Sequence, residues 1–170
     1  MKNYKDARKK VAGWIKVNQK ELVYVLYGKK VDYFYKSFPI PKKNGESRVI
    51  YAPKDELKII QKRLSQKLYE THREYIRQYR IKSTISHGYE QKRTIITNAR
   101  RHKNKRYLLN IDISDFFPSF NFGRVQGFFY KSREFSFSKE EATIIAQLVC
   151  YNGKLPQGAP TSPIISNLIF

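Results

Sequence analysis

Apolar and polar positions alternate over residues 107–113. Tyr107, Leu109, Ile111 and Ile113 fall on one side, and Leu108, Asn110 and Asp112 on the other. A period of two is the signature of a strand, so the pattern predicts one here with the first set buried. Asp112 closes the apolar run, where a carboxylate is costly unless something cationic meets it. Asp115 comes one tight step later, followed by Phe116, Phe117 and Pro118. That arrangement suits a divalent metal held over a sheet edge beside an anionic substrate. It suits a turn former or a helix cap equally well.

Elsewhere the period is helical. Val11, Trp14 and Ile15 give the basic N-terminal segment a short apolar stripe, which suits a solvated helix packing by one face. Asn18 with Glu21 reads as a capping box opening a second helix through Leu22, Val23, Leu26 and Tyr27. Leu57, Ile60, Leu64 and Leu68 predict a long helix from Lys54 to about Arg80 with a Lys/Arg-rich outer side. Asn121 caps a helix carrying Phe122, Val125, Phe128 and Phe129. Ser138 with Glu141 caps another, with Ile144, Ile145, Leu148 and Val149 inward, and Asn152-Gly153 closes it. Pro156 to Pro163 reads as an irregular loop, and Ser162-Pro163 as the cap of a last helix that ends on Leu168, Ile169 and Phe170.

Between the second and third helices, two β-prone runs flank Asn44-Gly45, a strong hairpin signal. Pro39 and Pro41 suit an edge strand. Lys42, Lys43 and Arg48 cluster on this ribbon, which would grip phosphates or simply keep the edge soluble.

Charge sharpens the choice of partner. Lys and Arg outnumber Asp and Glu by 34 to 14 within 170 residues, and they run through most of the chain. That spread favours a long polyanion, most simply nucleic acid. With 41% hydrophobic and 15% aromatic residues a packed core is expected. An anionic membrane is the rival polyanion, but with neither a spanning apolar run nor a signal-peptide core evident a membrane is not expected as partner. A single cysteine, Cys150, leaves no internal disulfide and no cysteine-rich zinc site, and fits a reducing cytoplasm. His87 and His102 are too isolated for zinc. The densest basic cluster, Arg93, Arg100, Arg101, Lys103, Lys105 and Arg106, lies just before the Asp112 strand.

Three stretches together resemble a reverse transcriptase. Asn110-Ile-Asp112-Ile-Ser-Asp115-Phe-Phe117 is similar to the first palm motif of that family. Leu155-Pro-Gln157-Gly158-Ala-Pro-Thr-Ser-Pro163 is similar to the second. The basic hairpin ending in Arg48-Val-Ile-Tyr-Ala-Pro53 resembles the fingers, and Asn98-Ala-Arg-Arg-His102 resembles an element of bacterial retron enzymes. The third palm motif, Tyr-x-Asp-Asp, the thumb and a retron Val-Thr-Gly element are not in the chain. The resemblance therefore implies an α+β fold made of fingers plus the first half of an RRM-like palm. N-terminal basic helices would occupy 1–30, fingers 31–106 and a partial palm 107–170. The expectation is an N-terminal portion that is inactive and marginally stable alone.

What the resemblance implies for chemistry is two-metal phosphoryl transfer with Mg2+. Asp112 would supply the catalytic carboxylate and, with the carbonyl of Ile113, ligate metal. Asp115 and Phe116 would lie against a deoxynucleoside triphosphate, with Asp115 equally a holder of the turn. Arg48, Lys42 and Lys43 would neutralise its phosphates. Phe117 would exclude a 2′-hydroxyl, or else be a core ring, and Gln157 and Gly158 would approach the nucleotide and template base. Arg93, Asn98, Arg100, Arg101 and His102 would contact nucleic acid. Implied partners are a structured noncoding RNA serving as template and primer, extended from a 2′-hydroxyl into branched RNA–DNA, the DNA product, and an effector protein in antiviral defence. A group II intron maturase, a phage-defence polymerase, or a non-catalytic RNA-binding module are the alternatives.

Overall fold

The computed structural model describes residues 2–42, 45–81, 86–90 and 92–170. Its elements are α1 (Lys2–Trp14), α2 (Gln19–Val23), β1 (Tyr35–Pro41), β2 (Ser47–Pro53), α3 (Asp55–Gln78), α4 (Ile95–His102), α5 (Phe122–Lys131), α6 (Lys139–Val149) and α7 (Ser162–Ile169). The mixture of helices with a small antiparallel sheet is α+β, as expected. Among the described residues no helix is long and apolar enough to cross a membrane.

The core is built around α6, whose Ala142, Ile144, Ile145, Ala146, Leu148 and Val149 are all buried. A helix apolar on nearly every side must be covered on nearly every side. It is packed by α5 and α1, and touched by α3. Burying each large aliphatic side chain contributes about 1.5–3 kcal/mol, so this helix anchors the fold. Its start is fixed as the sequence pattern foretells: Ser138 Oγ accepts from the Glu141 N–H at 3.2 Å, and the Glu141 carboxylate accepts from the Ser138 N–H at 2.9 Å. Lys10 of α1 pairs with the same carboxylate at 3.5 Å. Trp14, Phe129, Phe135 and Phe137 close the far side with edge and stacked ring contacts.

The predicted stripe of α3 is buried as a set: Leu57, Ile60, Leu64 and Leu68. Gln61, also buried, donates to Tyr35 Oη at 3.0 Å and to the Leu148 carbonyl at 2.8 Å, joining α3, β1 and α6.

β1 and β2 pair antiparallel with Tyr35 opposite Pro53, Phe38 opposite Ile50 and Pro41 opposite Ser47. Lys43 and Asn44, at the tip, lie outside the described residues. A lone two-stranded ribbon is marginal in water. Here the Lys54 N–H to Phe34 carbonyl bond, 2.7 Å, extends the ladder by one pair, and the ribbon is docked by the Tyr51 N–H, which donates to the Gln157 carbonyl at 2.8 Å.

Three local expectations change. Residues 107–113 form no strand, and Tyr107, Leu109 and Ile111 are about as exposed (80%, 81% and 78%) as the intervening Leu108 (67%). The cause is the missing ladder, because alternation marks a strand only where a neighbour pairs with it. Among the described residues only β1 and β2 form a sheet. Asn18 does cap α2, but its side chain accepts from the Lys20 N–H at 2.8 Å, with no reciprocal Glu21 contact. The helix then widens into a π turn over Tyr24–Gly28. The cap of α7 is Thr161, one residue early, because Ser162 Oγ donates to the Pro156 carbonyl at 2.7 Å instead of capping.

Candidate functional site

A cleft of about 1230 Å³ opens between the hairpin, the turn after residue 111 and the segment leading into α7. The hairpin contributes Lys42, Arg48 and Tyr51, the turn contributes Ile111 to Pro118, and the third wall runs from Tyr151 to Gln157. Three separated stretches of sequence thus meet at one place.

The turn is locally determined. Asp112 is exposed, and its carboxylate accepts from the Ile113 N–H at 2.9 Å. Asp115 has φ 48°, a left-handed conformation that Asp tolerates better than most residues. Its carbonyl accepts from the Ser119 N–H at 3.0 Å, starting the tight turn Phe117–Ser119 around Pro118. Asp115 therefore holds the turn, whatever else it does. Phe116 packs edge-on against Phe120 at 5.2 Å and Phe117 at 5.5 Å. Phe117 is half-buried and stays on the cleft surface.

On the opposite wall Arg48 is exposed on β2, facing Ile40 in the register. Lys42 is engaged with Glu46 at 3.0 Å, so an incoming phosphate would compete with a carboxylate for it. Gln157 lines the cleft with its carbonyl held by Tyr51. Gly158 does not line it. Its φ is 109°, and a Cβ there would come within 2.6 Å of Ile50 Cγ2 and 3.1 Å of the Tyr51 carbonyl oxygen. The glycine is required by the close approach of β2.

The basic set lies apart from the cleft walls, on and before α4. Asn98, Arg100, Arg101 and His102 are exposed, and α4 buries no residue. Its basic residues Arg100, Arg101 and His102 fall in the last turn, where the helix dipole favours positive charge. Arg93 donates to the Ser86 carbonyl. His87 meets Thr97 Oγ1 at 2.9 Å; desolvation, then the charges of Arg93, Arg101 and His102, hold its pKa below the usual 6.5.

The fit to magnesium can be judged from the donors. Mg2+ commonly takes one or two carboxylates, keeps several waters and adds substrate phosphates. Asp112, exposed on the cleft and adjoining the Ile113 carbonyl, fits one such ion. Among the described residues no group of three His, Cys, Asp or Glu side chains could hold a metal, so a complete two-ion site is not assembled.

Residues 40–170 match the family model described as reverse transcriptase (RNA-dependent DNA polymerase). The chain belongs to the reverse transcriptase family. Among curated reverse transcriptases it is 33% identical over 140 residues to the retron Ec86 reverse transcriptase of Escherichia coli. It is 32% identical over 153 residues to that of retron Mx162 of Myxococcus xanthus, and 32% over 157 residues to that of retron Se72 of Salmonella heidelberg. These alignments take in 81%, 79% and 91% of this chain but 40%, 29% and 38% of those relatives. All three reverse-transcriptase stretches quoted from the sequence, and the Asn98–His102 element, lie inside the matched region.

Sequence reasoning missed Tyr51, Tyr89 and Tyr151, which line the same cleft. Tyr151 lies 4.5 Å from Tyr35 and 4.9 Å from Tyr51, ring to ring, and its hydroxyl donates to Asp32 at 2.8 Å. That hydrogen bond, with burial behind it, raises the pKa of the phenol above 10.0. Nothing in the spacing of residues 32, 51 and 151 signals the contact. The nearest hint is Asn152-Gly153, the turn across which Tyr151 pairs with Lys154.

Proposed function

We propose that this chain provides the nucleotide-binding part of an RNA-directed DNA polymerase of the retron type, with fingers over 31–106 and a partial palm from 107. The observation that carries the reading is the single cleft onto which Asp112, Phe117, Arg48 and Gln157 converge from three stretches of sequence.

In this reading the Asp112 carboxylate and the Ile113 carbonyl hold magnesium. When bound, the metal neutralises charge developing on the phosphates and acidifies the attacking hydroxyl. Arg48 meets the triphosphate from the hairpin with charge-assisted hydrogen bonds, and Lys42 joins once Glu46 releases it. The backbone at Asp115 and Phe116 forms the floor, and Phe117 closes against the sugar edge where a 2′-hydroxyl would project. Gln157 orients the base side, and Gly158 acts indirectly by letting β2 close on that loop. The primer hydroxyl gives up its proton to solvent, its oxygen bonds the α-phosphorus, and the α–β phosphoanhydride bond breaks to release pyrophosphate. The chain's contribution is positioning and electrostatics. Arg93, Asn98, Arg100, Arg101 and His102 hold the structured RNA, which is copied into DNA. An effector-protein partner rests on the retron resemblance alone.

A second reading, an RNA-binding module without catalysis, is favoured by one observation: the incomplete ligand set around Asp112. Primer extension by the protein expressed from its full reading frame, with and without magnesium, decides between them. Magnesium-dependent DNA synthesis supports the polymerase; RNA binding without extension supports the module.

A further inference from the structure

Tyr89 stands in a conformation that its side chain does not favour. Its φ is 58°, and a bulky non-glycine residue there is a genuine outlier that surrounding contacts must enforce. Those contacts come from two helices distant in sequence. Tyr69 of α3 donates its hydroxyl proton to the Tyr89 carbonyl, and Asn167 of α7 donates to the adjacent Gly88 carbonyl at 2.8 Å. Ser86 Oγ reaches the same Gly88 carbonyl at 3.1 Å. Burial of Tyr69, then the charge of Glu90, raises the pKa of the Tyr69 phenol above its ordinary 10.0.

The enforced backbone delivers an aromatic ring to the cleft. Tyr89 is 53% exposed, lines the cleft, and lies 6.1 Å from the Phe117 ring at an angle of 51°. Phe117 has a second ring neighbour, Phe116, itself packed on Phe120. Phe117 is thus flanked by Phe116, which leads back to the core, and by Tyr89, which stands on the cleft. A ring held between two others in tilted and edge contacts loses freedom to swing. A ring gap this narrow leaves no slot for a base between Tyr89 and Phe117, so the contact is a buttress.

We infer that Tyr89 is a positioning residue for Phe117: clamped by Tyr69 and Asn167, it fixes that ring against the sugar edge and so sets how strictly a 2′-hydroxyl is excluded. The inference rests on the polymerase reading above. It concerns the ring of Tyr89, since no hydrogen bond to its hydroxyl is seen among the described residues.

The test is single-nucleotide extension by the protein from its full reading frame, comparing efficiency with a ribonucleoside and the matching deoxynucleoside triphosphate. Tyr89→Ala is expected to raise the ribonucleotide-to-deoxynucleotide ratio about tenfold, the scale of one lost pocket contact. Tyr89→Phe keeps the parent ratio because the ring remains. Tyr69→Phe, which loses only the clamp, raises it about threefold, a partial loss of the same restraint. Should Tyr89→Ala fail to fold, Tyr69→Phe decides alone. A parent that extends while the alanine and Tyr69→Phe variants keep its ratio, or lose both substrates equally, overturns the inference and leaves the polymerase reading standing. A parent that makes no DNA at all overturns that reading, and the inference with it.

Discussion

The Tyr51 N–H donates to the Gln157 carbonyl at 2.8 Å, across more than a hundred residues of sequence. This bond makes the hairpin a wall of the cleft. Beside it β2 lies so close to Gly158 that no side chain fits between them.

Gly158→Ala should therefore separate the two walls. The introduced methyl meets Ile50 at 2.6 Å, and the backbone is at φ 109°. A loss of about 1–3 kcal/mol in denaturant unfolding is expected from strain of this kind. Unchanged unfolding would mean that the approach is looser than described.

The sequence made the hairpin, the stripe of α3 and the Asn121 and Ser138 caps legible, because each is a local pattern with one structural answer. It misled at residues 107–113, since alternation reports the propensity to pair and not the presence of a neighbour. The walls of the cleft were legible where a motif runs consecutively, as from Asp112 to Phe117. The Tyr151–Asp32 bond and the Tyr89–Phe117 contact were not, because each joins residues that only the folded chain brings together.

Cys150 is buried at the end of α6, and desolvation pushes its thiol up to about 12 from the usual 9.0. The unfolded thiol ionises first, so the stability tied to the neutral form is fully present below pH 9.0. It is lost progressively as pH rises toward about 12. At pH 8, labelling with a thiol reagent should follow unfolding and not precede it. Rapid modification of the native protein would contradict the burial.

Arg48 is an exposed hairpin cation on the cleft wall. Arg48→Ala in the full reading frame should lower kcat/KM for deoxynucleotides about 10–100-fold, as expected for loss of a charge-assisted phosphate contact. Arg48→Lys should recover part of it. Equal activity in the alanine variant would remove Arg48 from the nucleotide site.

Binding to structured RNA should weaken steeply with salt, because each neutralised phosphate releases counterions. The exposed cations of the last turn of α4 predict that replacing Arg100 and Arg101 by Ala reduces the slope by about 1–2. A slope unchanged by both substitutions would place the RNA elsewhere.

The central claim is that the cleft is a metal-dependent nucleotidyl-transfer site with Asp112 as a ligand. The most direct measurement pairs primer extension with RNA binding for Asp112→Asn, made in the protein expressed from its full reading frame. The amide is nearly the same size as the carboxylate but a much weaker magnesium ligand. The account predicts that DNA synthesis is abolished while RNA affinity is nearly unchanged. Near-parental extension by Asp112→Asn would contradict it.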